Sequence, residues 1–412
     1  MPVRQPGKHA MMFIFITVLI DMIGFGLIIP VMPDLIKGLT GQEAPSAAVM
    51  GGWLMTLYAG MQFVFAPVVG GLSDRFGRKP ILLIALAGFT LDYLIMGFSG
   101  SFLVLFIGRA ISGIFGASYT TASAYIADIS NEKNRAANFG MIGAAFGLGF
   151  ILGPVAGGLL GEAFGPRAPF FAAAALAGLN FIYGFLVLPE SLPVENRRKF
   201  ELSRANPFGA LMQIRKHPVV YVLLSGLFVI MLAHSVFPST WSYFGEFRFG
   251  WSKQEIGFSL GAVGLMTALV QGGLTRVAVP KFGEWRVIMF ALSVTVMAYF
   301  GYGLVTQSWM VYLVIVIGAL GGLGQPALQA VMTRRMSDDA QGELQGAITS
   351  LQGLSMMIGP QLMPRVFQFF TSENAPTELP GAAFLLAAVL ASIGLIIALS
   401  ARRRDTVRSP AQ

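Results

Sequence analysis

Phe13-Ile14-Phe15-Ile16-Thr17-Val18-Leu19-Ile20-Asp21-Met22-Ile23-Gly24-Phe25-Gly26-Leu27-Ile28-Ile29-Pro30-Val31 carries a single charge, Asp21, near its middle. A run of this length and apolarity matches the roughly 20 residues that a helix needs to cross about 30 Å of hydrocarbon. An ionised carboxylate at that depth costs on the order of 3 kcal/mol or more. Asp21 therefore reads as a functional acid, placed where a proton can be loaded and released. The run is too long for a cleavable signal peptide, and no small-residue cleavage site follows it.

The rest of the chain repeats the pattern. Over 412 residues, 55% are apolar and 12% charged, against about 25% charged in a soluble domain. Apolar segments near 11–33, 48–70, 80–98, 102–124, 137–160, 168–188, 218–243, 256–276, 286–305, 308–332, 343–367 and 380–400 read as twelve spans. The fold class predicted is an all-α membrane protein of twelve transmembrane helices in two six-helix pseudo-symmetric halves.

A net charge of +8 is compatible with nucleic-acid binding, but its distribution argues for topology. Lys and Arg concentrate in the termini and in alternate loops; the other side holds only Lys37, Arg167, Arg248 and Lys253, and Arg109 and Arg365 fall inside spans. Under the positive-inside rule both termini are cytoplasmic. The expected setting is the cell inner membrane, with lipids and a small-molecule substrate as partners, no nucleic acid, and a monomeric protein. Cysteine is absent, which removes disulfides, thiolate nucleophiles and cysteine metal sites. With three histidines and no HExxH, no metal or cofactor is expected.

The polar stretch 189–217 reads as a cytoplasmic linker between a six-helix bundle over 1–188 and another over 218–412. Sliding the second half onto the first aligns Arg75-Phe76-Gly77 with Lys281-Phe282-Gly283, Gly140 with Gly346, and Gly153-Pro154 with Gly359-Pro360, the trace of a duplicated unit. Parallel repeats of this kind are the architecture of rocking secondary transporters. No GxxxxGK[ST] loop is present to drive transport with a nucleotide. Gly257-Phe258-Ser259-Leu260-Gly261 matches GxSxG, but it opens an apolar helix rather than following a strand, so no nucleophile elbow and no enzyme are expected.

Gly70-Gly71-Leu72-Ser73-Asp74-Arg75-Phe76-Gly77-Arg78-Lys79-Pro80, between spans two and three, resembles the GxxxD(R/K)xG(R/K)(R/K) signature of the major facilitator superfamily. The resemblance implies a gating role for Asp74, Arg75 and Arg78, with Asp74 against a helix end of the other half and Arg78 paired with Asp128 at the end of span four. Gly140, Gly149, Gly153, Pro154, Gly157 and Gly158 in span five match G(x)8G(x)3GP(x)2GG, which resembles the antiporter motif of that superfamily's drug/proton exchangers. From spacing alone, Gly149, Gly153, Gly157 and Gly161 line one helical face that a second helix can approach closely, with Pro154 inside it.

Asp21, Asp92 and Arg109 lie within first-half spans, whereas their second-half counterparts are Leu227, Ala298 and Ile315, so proton coupling is expected in the first half. A guanidinium near Asp21 would support its charge while burial opposes it; a static ion pair between Arg109 and an aspartate is the alternative. Arg109, with Gly108, Gly113 and Ala117, is similar to the superfamily's fourth-span arginine motif. Gln62, Trp241, Tyr243, Gln271, Gln325 and Gln329 offer neutral polar and aromatic contacts for an amphipathic substrate, or bonds to a neighbouring helix; His234 can titrate near neutral pH at the substrate, with a hydrogen-bonded packing histidine the favoured alternative; and Arg365 offers an anion contact, or snorkels to the surface.

SDRFGRKPILL, GRAISGIFGAS through AYIADIS, APFFAAAALAGLNF, LPES, FGEFRFGW, QPALQA and QGELQG together resemble the tetracycline efflux proteins of Gram-negative bacteria. That resemblance implies a proton-coupled antiporter exporting small amphipathic compounds by alternating access. The chain departs from the family at Thr267 and Thr295, where those proteins carry a histidine and an aspartate. The competing readings are a facilitator or proton symporter of an organic anion or metabolite, a substrate-sensing receptor on a transporter fold, and a membrane scaffold.

Overall fold

The computed structural model describes residues 8–116, 118–130, 135–198, 218–336 and 340–408. Among them the secondary structure is helical, with no strand. In the first half α1 spans Lys8–Ile28, α2 Met32–Thr40, α3 Ala44–Phe76, α4 Arg78–Gly97, α5 Phe102–Gly116, α6 Ser118–Ile129, α7 Arg135–Phe164 and α8 Ala168–Val187. In the second, α9 spans Pro218–His234, α10 Val236–Phe249, α11 Lys253–Leu269, α12 Thr275–Phe282, α13 Glu284–Leu304, α14 Ser308–Gly318, α15 Gly324–Thr333, α16 Gln341–Thr371 and α17 Ala382–Arg408.

Among the described residues eleven segments are long and apolar enough to cross a membrane. Several are assembled from two helices: α5 with α6, α9 with α10, α11 with α12, and α14 with α15. The segment expected as span eleven forms α16, a continuous 31-residue helix. Its polar content, with Gln352, Gln361, Arg365 and Gln368, explains why it is not among the eleven. The first span ends early because Pro30 has no amide to continue the ladder; a turn then leads into α2.

Two compact units form, one from Met1–Gln42, Leu57–Asn206 and Ser252–Gly261, the other from Glu43–Thr56, Pro207–Trp251 and Ala262–Gln412. In the first unit Phe13, Ile14 and Val18 of α1 pack with Leu82, Tyr125, Ile126, Ala145 and Leu188. In the second, Leu223, Leu227, Ile288, Ala291, Ala327 and Leu344 belong to the corresponding core. Phe98, Leu103, Phe185, Met297 and Ile396 stand exposed, an apolar surface suited to lipid rather than to water.

Candidate functional site: an intramembrane acid beside a glycine seam

The glycines of α7 seat that helix on α1 on either side of the level of Asp21. Gly149 lies against Met22 and Ile23 of α1, Gly153 against Ile23 and Gly26, Gly157 against Leu27, and Gly161 against Val31. A Cβ at residue 153 would sit 2.8 Å from both the Gly26 Cα and the Ile23 carbonyl oxygen. The two backbones therefore meet with no room for side chains, just beyond Asp21.

A second face of α7 carries the remaining motif residues. Gly257 of α11 rests on the Pro154 carbonyl and on Gly158, and Gly261 lies against Val155. The GxSxG match is thus a helix-packing device: its glycines admit α7, and Ser259, fully buried, donates to the Ile256 carbonyl at 2.8 Å.

Asp92 on α4 is completely buried and meets Arg109 of α5, Oδ2 to Nη2, at 3.1 Å. Ser112, one turn along α5, donates to the same oxygen at 2.7 Å. The Arg109 guanidinium also lies 5.4 Å from the centre of the Tyr58 ring, an attractive cation–π placement. Asp92 Oδ1 and Arg109 Nε have no hydrogen-bond partner among the described residues.

Asp21 is half-buried and has neither an ion-pair nor a hydrogen-bond partner among the described residues. The expected guanidinium is engaged elsewhere: Arg109 serves Asp92. Tyr93 links the two places, since a Cβ at Gly24, one turn beyond Asp21, would lie 2.9 Å from its hydroxyl oxygen. Thr17, one turn before Asp21, donates to Asn180 at 3.3 Å and fixes this face of α1 against α8.

Between α3 and α4 a second cluster forms. Arg78 reaches Asp74 at 2.6 Å and Asp128 at 3.1 Å, and donates to Ser73 at 2.6 Å. Arg75 stays outside it, stacked over Phe76. Glu190 and Ser191, which lie in LPES but were not among the candidate site residues, complete the arrangement. The Glu190 carboxylate accepts the backbone amides of Arg78 at 2.8 Å and Lys79 at 3.2 Å, capping α4, where an anion is favoured by unpaired N–H groups and the helix dipole. Ser191 donates to Asp128 at 3.0 Å.

Gly77 is glycine for two reasons. Its φ of +105° disfavours other residues, and a Cβ would collide with the Glu190 carboxylate. Glu190→Ala is expected to cost about 0.5–2 kcal/mol, the usual range for losing a helix cap, and to loosen Arg78; an unchanged detergent melting temperature would contradict this.

At the opposite end of the first unit, Asp34 of α2 binds Lys37 at 2.9 Å and Lys253 at 2.7 Å. Burial pushes the Asp34 carboxyl up, but hydrogen bonds and charge from the two lysines outweigh it, so the group stays below its ordinary range. Its contribution to stability is therefore present at neutral pH and lost only as pH falls through that depressed value. Lys253 is held at the start of α11 by a capping box in which Ser252 and Glu255 exchange backbone and side-chain hydrogen bonds. Lys37 and Lys253 were visible as the few basic residues on one side; their shared partner was not.

The second-half candidates separate in the structure. Trp241 is fully buried among Phe237, Tyr302 and Phe384, and so belongs to an aromatic core rather than to an accessible surface. Tyr243 is also buried. His234 is exposed, with Nδ1 3.1 Å from the Tyr299 hydroxyl. Gln62 donates to the Gly116 carbonyl at 2.9 Å, and Gln329 to Gln345 at 3.4 Å. Arg365 lies over Trp53, 5.5 Å from the ring centre. Gln271 and Gln325 are exposed. Among the described residues no group of His, Cys, Asp or Glu is placed to hold a metal ion.

Residues 14–360 match the Major Facilitator Superfamily. The chain is 40% identical over 381 residues to the class C tetracycline resistance protein of Escherichia coli, covering 92% of this chain and 95% of that protein. It is 34% identical to the class H tetracycline resistance protein of Pasteurella multocida, covering 98% of each. A bacterial homologue of the human lysosomal transporter Spinster superimposes with a TM-score of 0.80 over 99% of this chain and 100% of that one, at 17% identity, which bears on the fold alone. Membrane-crossing helices, paired intramembrane charges, a glycine seam and these likenesses lead to one conclusion: the chain belongs to the Major Facilitator Superfamily and is an inner-membrane efflux transporter, not an enzyme.

Proposed function

We propose that this transporter exchanges protons for small amphipathic drugs, tetracycline-like compounds among them, by alternating access. One observation carries the proton-coupling role: Asp21 is an intramembrane carboxylate with no partner among the described residues. Asp92 and Arg109 compensate one another, so the charge left to be neutralised from outside is that of Asp21. A proton does so, and substrate and proton exclude one another if the site accepts its substrate only when the acid has released its proton.

In this reading residues 1–188 form the proton-coupling bundle, 189–217 the cytoplasmic linker and 218–412 the substrate-contacting bundle. Both termini face the cytoplasm, and the protein works as a monomer among membrane lipids. The Asp74–Arg78–Asp128 cluster, braced by Glu190 and Ser191, gates the cytoplasmic side. The α1–α7 seam keeps protons from slipping through uncoupled. His234, Gln62, Gln271, Gln325, Gln329 and Arg365 supply substrate contacts, with Trp241 supporting them from the aromatic core.

Purified protein in liposomes tests the proposal. An imposed pH gradient is expected to drive accumulation of tetracycline or a related amphipathic drug, and collapse of the gradient by a protonophore to end it. Flux indifferent to the gradient would leave a facilitator.

A further inference from the structure

The span formed by α11 and α12 is not a continuous α-helix: Val270–Leu274 winds as a π-helix. The span formed by α14 and α15 is likewise interrupted, by a 3-10 segment at Ala319–Leu323. Both interruptions lie in the second unit, and they touch: a Cβ at Gly322 would be 3.4 Å from the Gln271 side-chain nitrogen. Irregular backbone at membrane depth is tolerated where it is packed in protein or lines a wet space, and π-turns concentrate at functional sites.

The π-segment carries an unspent amide, Gln271, and the first turn of α15, directly after the 3-10 segment, carries another, Gln325. Gln271 and Gln325 are exposed and have no hydrogen-bond partner among the described residues. An amide left so in hydrocarbon costs several kcal/mol, so these two face water or a ligand. Gln325 stands one turn beyond Gly322, on the face that Gln271 approaches.

Within the span formed by α11 and α12 the charge next in sequence to Gln271 is Arg276, two residues past the π-segment, and no acid stands at mid-span. Thr267 sits within the same span as Gln271, and Thr295 lies on the neighbouring α13 against Gly321, its hydroxyl spent on the Ala291 carbonyl at 2.9 Å. Among the described residues the second-half acids Glu246, Glu255, Glu284, Glu343 and Asp405 stand within a few residues of helix ends, and Glu373 and Glu378 lie between α16 and α17, none at mid-span.

We infer that the second unit recognises its substrate through uncharged hydrogen bonds from Gln271 and Gln325 to a carbonyl- or hydroxyl-rich face, and that the compound leaves metal-free and without net charge. This rests on the proton exchange proposed above and adds a charge balance to it. A neutral molecule leaving against an entering proton moves one net charge per proton, so transport is electrogenic. A monocationic metal chelate leaving against one proton would move none.

The test uses the full-length protein in liposomes, with tetracycline as probe, either with EDTA or with magnesium. With EDTA and no pH gradient, an imposed membrane potential is expected to change accumulation about tenfold for every ~60 mV. Gln271→Leu and Gln325→Leu are each expected to weaken apparent affinity about tenfold while the response to a pH gradient persists, and Gln271→Glu to shift preference toward the magnesium chelate.

The inference is overturned by pH-driven flux that requires magnesium, by flux indifferent to potential, or by both leucine variants transporting like the parent; each of these leaves proton exchange intact. No flux under either gradient would overturn the exchange reading together with this one.

Discussion

Asp21→Asn is expected to reduce pH-driven export to the level of empty liposomes while the protein still folds and still binds substrate. Asparagine keeps the shape of the side chain and removes its titration, so an effect confined to coupling isolates the proton. The folded state should not suffer: Asp21 has no partner among the described residues to lose, and a lone carboxylate in a low-dielectric setting is itself a burden. Exchange of labelled for unlabelled drug at equal pH should continue, because it requires no net proton movement. Asp92→Asn should behave differently. It breaks a buried pair with Arg109 and a bond from Ser112, leaving a guanidinium uncompensated, a change that costs several kcal/mol and lowers yield before it reports on coupling.

Gly153→Leu is the second substitution with a large expected effect. The added Cβ alone would stand 2.8 Å from backbone atoms of α1 at Ile23 and Gly26, and neither helix has a flexible side chain there to move aside. Overpacking of this kind costs about 1–3 kcal/mol or more, and the strain falls within two turns of Asp21. Transport should drop at least tenfold, with a raised proton leak as the two helices part. Gly147→Leu is the matched control: it places the same side chain on the same helix, where nothing lies within 4 Å of the new Cβ. Equal losses at 147 and 153 would mean that helix propensity rather than the seam is at work. Ordinary coupling in Gly153→Leu would remove the seam from the mechanism.

Much of the fold was legible because hydropathy is a local property. A run such as Phe13–Val31 declares its length and apolarity without reference to its neighbours, and so do the spacings of Gly70–Pro80 and of the glycines from 149 to 161. Span eleven blurred because α16 mixes glutamines and Arg365 into a membrane-length helix. The π- and 3-10 interruptions at Val270–Leu274 and Ala319–Leu323 left only doubled glycines as a trace.

Pairing was the less legible part, since it depends on which helices meet. Arg109 was recognisable as an intramembrane cation, yet its choice of Asp92 over Asp21 follows from the packing of α4 on α5. Trp241 looked like a substrate contact by type; tertiary packing turned it into aromatic core. Glu190 has no local sequence signal of its role, because its partners are backbone amides more than a hundred residues earlier. The positive φ of Gly77, which admits that carboxylate, was hidden in a motif whose glycine sequence alone could not explain.

Proton release on substrate binding puts the central claim to its most direct test. Tetracycline is added to the detergent-solubilised protein in weakly buffered solution near neutral pH, and the pH of the medium is followed, for the parent protein and for Asp21→Asn. The account predicts release from the parent, saturating with drug, and none from the variant at concentrations where it still binds. Equal release from both would place the exchanged proton on another group and contradict the account.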